Sequence, residues 1–532
     1  MKTRWLFLLC LVALIACGGP QAGSVPETPS QPAAPAALPA ILPSPNAPGI
    51  FQPTVCRFTL PEEVGPGEDV DCGYLAVPER RDVPIQETRL IQLAVAIFHP
   101  PGGATHPDPV IYLSGGPGAS ALEMVRYDFD RFSELAFTNG RDLIVFDQRG
   151  IGISRPALDC PEYDQLARDL LDREIDGQVM KDPQIAALLL DTIAACRDNL
   201  SEVADLSAYH SLASALDVHD LRLALGYEQV NLWGGSYGTR LALEIMRQDP
   251  QGLRSVILDA VYPPDVDLYA EGPANLERAL DRLFSSCSAN PVCSQAYPNL
   301  EEVFYETSQR LDESPVRAEI VDPFTGTHYQ SWMNGDILLG LTFRLLYDSQ
   351  VRYLLPMYID DVSHDDFSAF NLMRGILIGR IGLSSVGMSL SVQCHEELAF
   401  SSQQAVQSRL SSHPELAGMY ENSLIGPFVF EVCQEWPAGV ADPSANQPVY
   451  SDVPTLLMAG EFDPITPPAW GRKAAETLSR AYFFEYPGVG HGASVIQGCP
   501  QDMAVAFLAD PDKAPDGTCI ADMGVFKQPQ LE

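Results

Sequence analysis

Residues 229–248, QVNLWGGSYGTRLALEIMRQ, change character twice within one short span. A mostly apolar run, 229–233, leads into Gly234-Gly235-Ser236-Tyr237-Gly238, a G-x-S-x-G pattern. From Tyr237 to Gln248 the apolar residues then recur at helical spacing. A strand, a glycine turn and a helix in this order form a nucleophile elbow, which lifts a serine hydroxyl above the end of a sheet. So sharp a turn has no room for side chains at its flanks, hence Gly234 and Gly238. It also aims the amide of Tyr237 at the place where a carbonyl would react.

On both sides of this elbow short apolar runs alternate with helical patterns. Strands are expected over Leu90–Phe98, 110–114, 142–147, 255–260, 455–459 and 482–486, and a helix over 214–225 that Gly226 ends. Strands alternating with helices predict an α/β fold with a mostly parallel, doubly wound sheet. Residues 263–448 break the rhythm, with helical patterns such as 275–287 and 335–346 and few strands. An insertion there would lie over the carboxyl ends of the strands, where open α/β sheets bind ligands, so it reads as a helical cap.

A serine hydroxyl is a weak nucleophile at neutral pH and needs a positioned base. His491 lies in the glycine-rich loop Gly488-Val489-Gly490-His491-Gly492 after the strand 482–486. Asp463, in Gly460-Glu461-Phe462-Asp463-Pro464, follows the strand 455–459, with Glu461 as the rival acid nearer the strand end. The chain order Ser236, Asp463, His491 is that of the α/β-hydrolase fold, in which the acid orients the imidazole and stabilises its protonated form. Ser114-Gly115-Gly116-Pro117-Gly118 follows an early strand and fits the second half of an oxyanion hole. Gly116 is the expected donor beside Tyr237.

The runs GGPG at 115–118, Asp147-Gln148-Arg149-Gly150-Ile151-Gly152-Ile153-Ser154, GGSYG, GEFD and GVGHG together resemble the prolyl and tripeptidyl aminopeptidase family of serine peptidases. Asp217-Val218-His219-Asp220-Leu221-Arg222 matches as well, and the likeness spans roughly 55–262 and 449–525. Prolyl aminopeptidases usually carry histidine before GGPG; Ser114 and the cysteines bring this chain nearer the tripeptidyl branch. The resemblance implies cleavage of peptides from free amino termini without metal or organic cofactor. It also points to Val392-Gln393-Cys394-His395-Glu396-Glu397, where Glu396 or Glu397 would bind the substrate ammonium. An esterase or lipase on the same fold is the first rival, and a non-catalytic surface-binding lipoprotein the second.

With 33 basic and 70 acidic side chains, the formal charge of −37 would repel phosphate backbones and disfavours nucleic-acid binding. Lys2 and Arg4 precede an apolar stretch too short to span a bilayer, and Leu14-Ile15-Ala16-Cys17 resembles a bacterial lipobox. Residues 1–17 therefore read as a lipoprotein signal with lipidation at Cys17, and export with a lipid anchor as the one membrane contact is expected. Residues 18–53, rich in Pro, Ala and Ser, read as a tether. The remaining regions are a core first part, 54–262, the cap, 263–448, and a core second part, 449–532. Ten cysteines beyond Cys10 and Cys17 suit disulfides in an exported protein. Spacing does not fix their connectivity, but joining sequence neighbours gives Cys56–Cys72, Cys160–Cys196, Cys287–Cys293, Cys394–Cys433 and Cys499–Cys519. Oligomeric state is not legible.

Overall fold

The apolar runs pair into one nine-stranded sheet, in a computed structural model that describes residues 49–67, 69–175, 178–179, 182–421 and 423–524. The strands are β1 (Ile50–Thr54), β2 (Val70–Pro78), β3 (Leu90–Phe98), β4 (Val110–Leu113), β5 (Leu143–Phe146), β6 (Val230–Gly235), β7 (Leu253–Asp259), β8 (Thr455–Gly460) and β9 (Ala481–Tyr486). Their order is β1-β2-β3-β5-β4-β6-β7-β8-β9. From β5 to β9 every neighbour is parallel, while β1, β2 and β3 attach antiparallel at one side. This is the expected mostly parallel sheet. Ile111, Ile144, Leu232, Val256 and Leu457 are buried in it with Val218 and Leu221 of the helix Ser211–Ala224 and Leu241 and Ile245 of the helix Tyr237–Gln248.

Residues 50–53, expected as the end of the tether, instead open β1, which pairs with β2 from Ile50 opposite Ala76 to Thr54 opposite Cys72. Phe51 packs on the sheet core in a space left by Gly73, where a Cβ would stand 2.4 Å from its ring. Burial of that ring outweighs the prolines around it. The signal 1–17, Cys17 and the tether up to residue 48 lie outside the described residues. All five disulfides join the sequence neighbours expected. Among the described residues no helix is long and apolar enough to cross a membrane.

The cap draws on two insertions. The helices Pro161–Asp169 and Asp182–Ser201, expected within the core, bury Leu166, Ile193 and Leu200 in one cluster with Met388, Val392 and Val429. Amphipathic spacing can show that a helix has an apolar face, not which layer that face meets. A second cluster joins Leu280, Leu338, Leu345 and Phe370 to Phe462, which precedes Asp463. The expected helices 275–287 and 335–346 are Leu268–Ala289 and Gly335–Tyr347. Among them sits an antiparallel hairpin, Val316–Val321 with His328–Met333.

Candidate active site

Ser236 follows β6 directly and has φ +56°, ψ −124°, a left-handed conformation that side chains resist. Its amide donates to the Asp259 carbonyl at 2.9 Å, and its carbonyl accepts the amide and hydroxyl of Thr239 at 2.8 and 2.6 Å. A Cβ on Gly234 would stand 2.4 Å from the Gly238 carbonyl oxygen, and one on Gly238 2.0 Å from that of Leu113. Only glycine permits this elbow, as the pattern required.

Asp463 lies fully buried beyond β8, and His491 beyond β9. His491 Nδ1 and Asp463 Oδ2 are 2.8 Å apart, so the ring donates to the carboxylate through this nitrogen. The amides of Ile465 and Thr466 donate to Asp463 Oδ1 at 3.0 and 2.9 Å, and the Thr466 hydroxyl to Oδ2 at 2.6 Å. That hydroxyl is also 3.2 Å from His491 Nδ1. Tyr347 holds the histidine from the cap side: its carbonyl accepts the His491 amide at 2.8 Å, and the ring centroids are 4.2 Å apart. Glu461, the rival acid, is spent on Arg282 and on the Gly488 amide at 3.0 Å. Among the described residues no hydrogen bond joins the Ser236 hydroxyl to His491. Nucleophile–base contacts of this kind often close only when substrate arrives.

Asp259, at the end of β7, ties the two loops together. Its carbonyl holds the Ser236 amide, while its carboxylate accepts the amides of Ala493 and Ser494 at 2.8 and 2.7 Å and the Ser494 hydroxyl at 2.5 Å. Burial raises its carboxyl above the ordinary range, and these donors pull against that shift. Sequence reading passed over Asp259. The available signal was an acidic residue closing the buried run SVILD, the same signature as Asp147 after LIVF.

The Ser114–Gly118 loop crosses close to Ser236: a Cβ on Gly115 would lie 2.9 Å from Ser236 Cβ. Gly116, the expected donor, is next along, at φ +108°. Gln148 fixes this loop by donating from Nε2 to the Ser114 carbonyl at 3.1 Å. The rest of the Asp147–Ser154 motif is scaffolding. Asp147 accepts the Ser120 hydroxyl and the Ile153 amide, and burial pushes its carboxyl up to about 6. Arg149, fully buried, grips Asp217 with two bonds of 2.7 Å.

Glu396 and Glu397 occupy a buried π-helical turn, Gln393–Glu397, which the Cys394–Cys433 disulfide anchors. Glu396 accepts the amide of Ser211 at 3.2 Å and its hydroxyl, whose oxygen is 2.7 Å from the Tyr237 hydroxyl. The turn thus reaches Tyr237, the residue after Ser236. Glu397 faces Arg240 at 2.8 Å. Burial and the neighbouring Glu396 push the Glu397 carboxyl up to about 7, against the pull of Arg240. Glu397 pairs with the guanidinium and Glu396 with the Ser211 hydroxyl, so two buried carboxyl groups lie near a single cation. Ser211 and Arg240 had no signal in the sequence, because their partners lie 185 and 157 positions away.

Residues 108–495 match a family model described as the alpha/beta hydrolase fold. A protein of Escherichia coli (strain K12) named YuaR is 27% identical over 84% of this chain and 87% of its own. The serine protease Hip1 of Mycobacterium tuberculosis is 25% identical over 87% of this chain and 89% of its own. The tripeptidyl aminopeptidase of Streptomyces lividans is 28% identical over 37% of this chain and 36% of its own.

Proposed function

The chain belongs to the α/β-hydrolase family, and from that premise we propose that it is an exported serine exopeptidase acting on peptides with free amino termini. The observation that carries the reading is the buried Asp463–His491 pair at 2.8 Å, in a loop that Asp259 ties to the Ser236 elbow. Ser236 Oγ attacks the scissile carbonyl carbon while His491 Nε2 takes the hydroxyl proton. The amides of Tyr237 and Gly116 stabilise the charge that develops on the carbonyl oxygen. His491 then returns the proton to the leaving amine as the C–N bond breaks, and water hydrolyses the acyl-enzyme by the same route reversed.

A free amino terminus needs a negative site, and the two buried carboxyl groups of Glu396 and Glu397 near the single cation Arg240 support one within the cap. Likeness to a serine protease and a tripeptidyl aminopeptidase supports peptides as the substrate class. Five disulfides support an oxidising compartment, with Cys17 as the lipid attachment point. The test is hydrolysis of one short peptide amide with its amino terminus free or acetylated, alongside an activated ester. The peptidase reading expects acetylation to remove most activity and Ser236→Ala to remove all of it. Equal rates on both peptides, with a preference for the ester, would make the protein an esterase.

A further inference from the structure

The cap holds a cavity of about 410 Å³, bounded by the hairpin strand His328–Met333 and the helices Gly335–Tyr347 and Ser368–Gly379. This is within the range of small-molecule sites, about 300–1,000 Å³. Leu170, Ile337, Leu377 and Met419 supply an apolar wall. Into it is set Arg374, 5% exposed. Among the described residues its guanidinium donates only to neutral acceptors: the Ser331 hydroxyl, the Trp332 carbonyl at 2.6 Å and the Asn371 side chain at 3.4 Å.

Buried charges are ordinarily paired with an opposite charge. Among the described residues no carboxylate lies within salt-bridge distance of Arg374, in a chain with 70 acidic side chains. Burial alone lowers the Arg374 guanidinium to about 10, with no carboxylate opposing the shift. The indole N–H of Trp332, also in the lining, meets no acceptor. The lining has one carboxylate, Asp336, which lies against Gly418, and a second cation, Arg173. An occupant with an anionic head and an apolar body would supply what each wall lacks.

We propose that this cavity binds a monocarboxylate with an apolar tail, its head on Arg374 and Trp332. The site is separate from the triad. Ile337 and Tyr347 stand on one helix, ten residues or about 15 Å apart, and it is Tyr347 that touches His491. A fatty acid and the carboxyl terminus of an apolar peptide share this chemistry.

Calorimetric titration of the full chain with octanoate, octanol, N-acetyl-Leu-Phe and its amide tests the proposal. One site is expected for a carboxylate, with the matched neutral compound weaker by about 10- to 100-fold, the worth of a charge-assisted hydrogen bond. Arg374→Met, which keeps bulk and removes charge, should lose binding by the same factor. Ile337→Trp, which fills the cavity and leaves Arg374 in place, should also lose binding and guards against a folding defect in the first variant. Both variants should cleave an activated ester at the wild-type rate. Tighter binding of octanoate would make a fatty acid the natural occupant, and tighter binding of the dipeptide a peptide terminus. Equal binding of acid and neutral partner, or wild-type binding by either variant, would overturn the proposal.

Discussion

Ser236 sits where a non-glycine backbone is strained by about 1–3 kcal/mol. Three hydrogen bonds hold it there, one donated to the Asp259 carbonyl and two accepted from Thr239. At the same scale, Asp463 serves His491 by fixing which nitrogen carries the proton. Asp463→Asn should therefore cut kcat on the order of 10⁴-fold, with little change in KM, in steady-state assays at neutral pH. A comparable rise in KM would mean that Asp463 shapes binding instead. The elbow was legible because its glycines answer to backbone geometry within five residues. Thr466 was not, since its role exists only once loops from different strands meet, and Asp259 left only the mark of an acidic residue closing a buried run. Glu396 and Glu397 were singled out by resemblance, but their partners Ser211 and Arg240 stand too far away along the chain to be read beside them.

Among the elements, the helix Ser211–Ala224 shows how the core and the cap are coupled. Its N-terminal residue Ser211 bonds Glu396, and the preceding His210 stacks on His395 with centroids 4.3 Å apart. His210 Nδ1 accepts the Ala213 amide at 3.3 Å, which requires an unprotonated ring. Burial, then the neighbouring His395 and Arg149, lower the His210 imidazole to about 3, while Asp217 and Asp82 pull the other way. Below its ordinary pKa the unfolded chain takes up a proton that the folded chain refuses. Stability should thus fall as pH drops from 6.5 towards 3, and His210→Gln should flatten that limb in denaturant titrations. An unchanged slope would remove His210 from the account. Strands within the parallel sheet were legible as short apolar runs. β1 and β2 escaped because glycine and proline dilute their pattern, and the first cap insertion escaped because a helical stripe does not name its partner.

Across the whole molecule, the five disulfides close local loops of 6 to 39 residues. Loop-closure entropy makes Cys394–Cys433 the most stabilising, at about 4 kcal/mol, and Cys287–Cys293 the least, at about 2 kcal/mol. Replacing each pair by serine should rank the losses in that order by chemical denaturation; the reverse ranking would show that strain outweighs chain entropy. The run of helices that follows β7 was legible as a change of rhythm near residue 263. The cap's interior, including its cavity, was not, because it depends on packing between helices far apart in the chain. Catalysis requires Ser236, His491 and Asp463 to act as one unit, and a fluorophosphonate adduct mapped by mass spectrometry tests this most directly. Labelling should fall on Ser236 alone and slow by at least about 10³-fold in His491→Ala. An adduct on another serine, or an undiminished rate without His491, would contradict it.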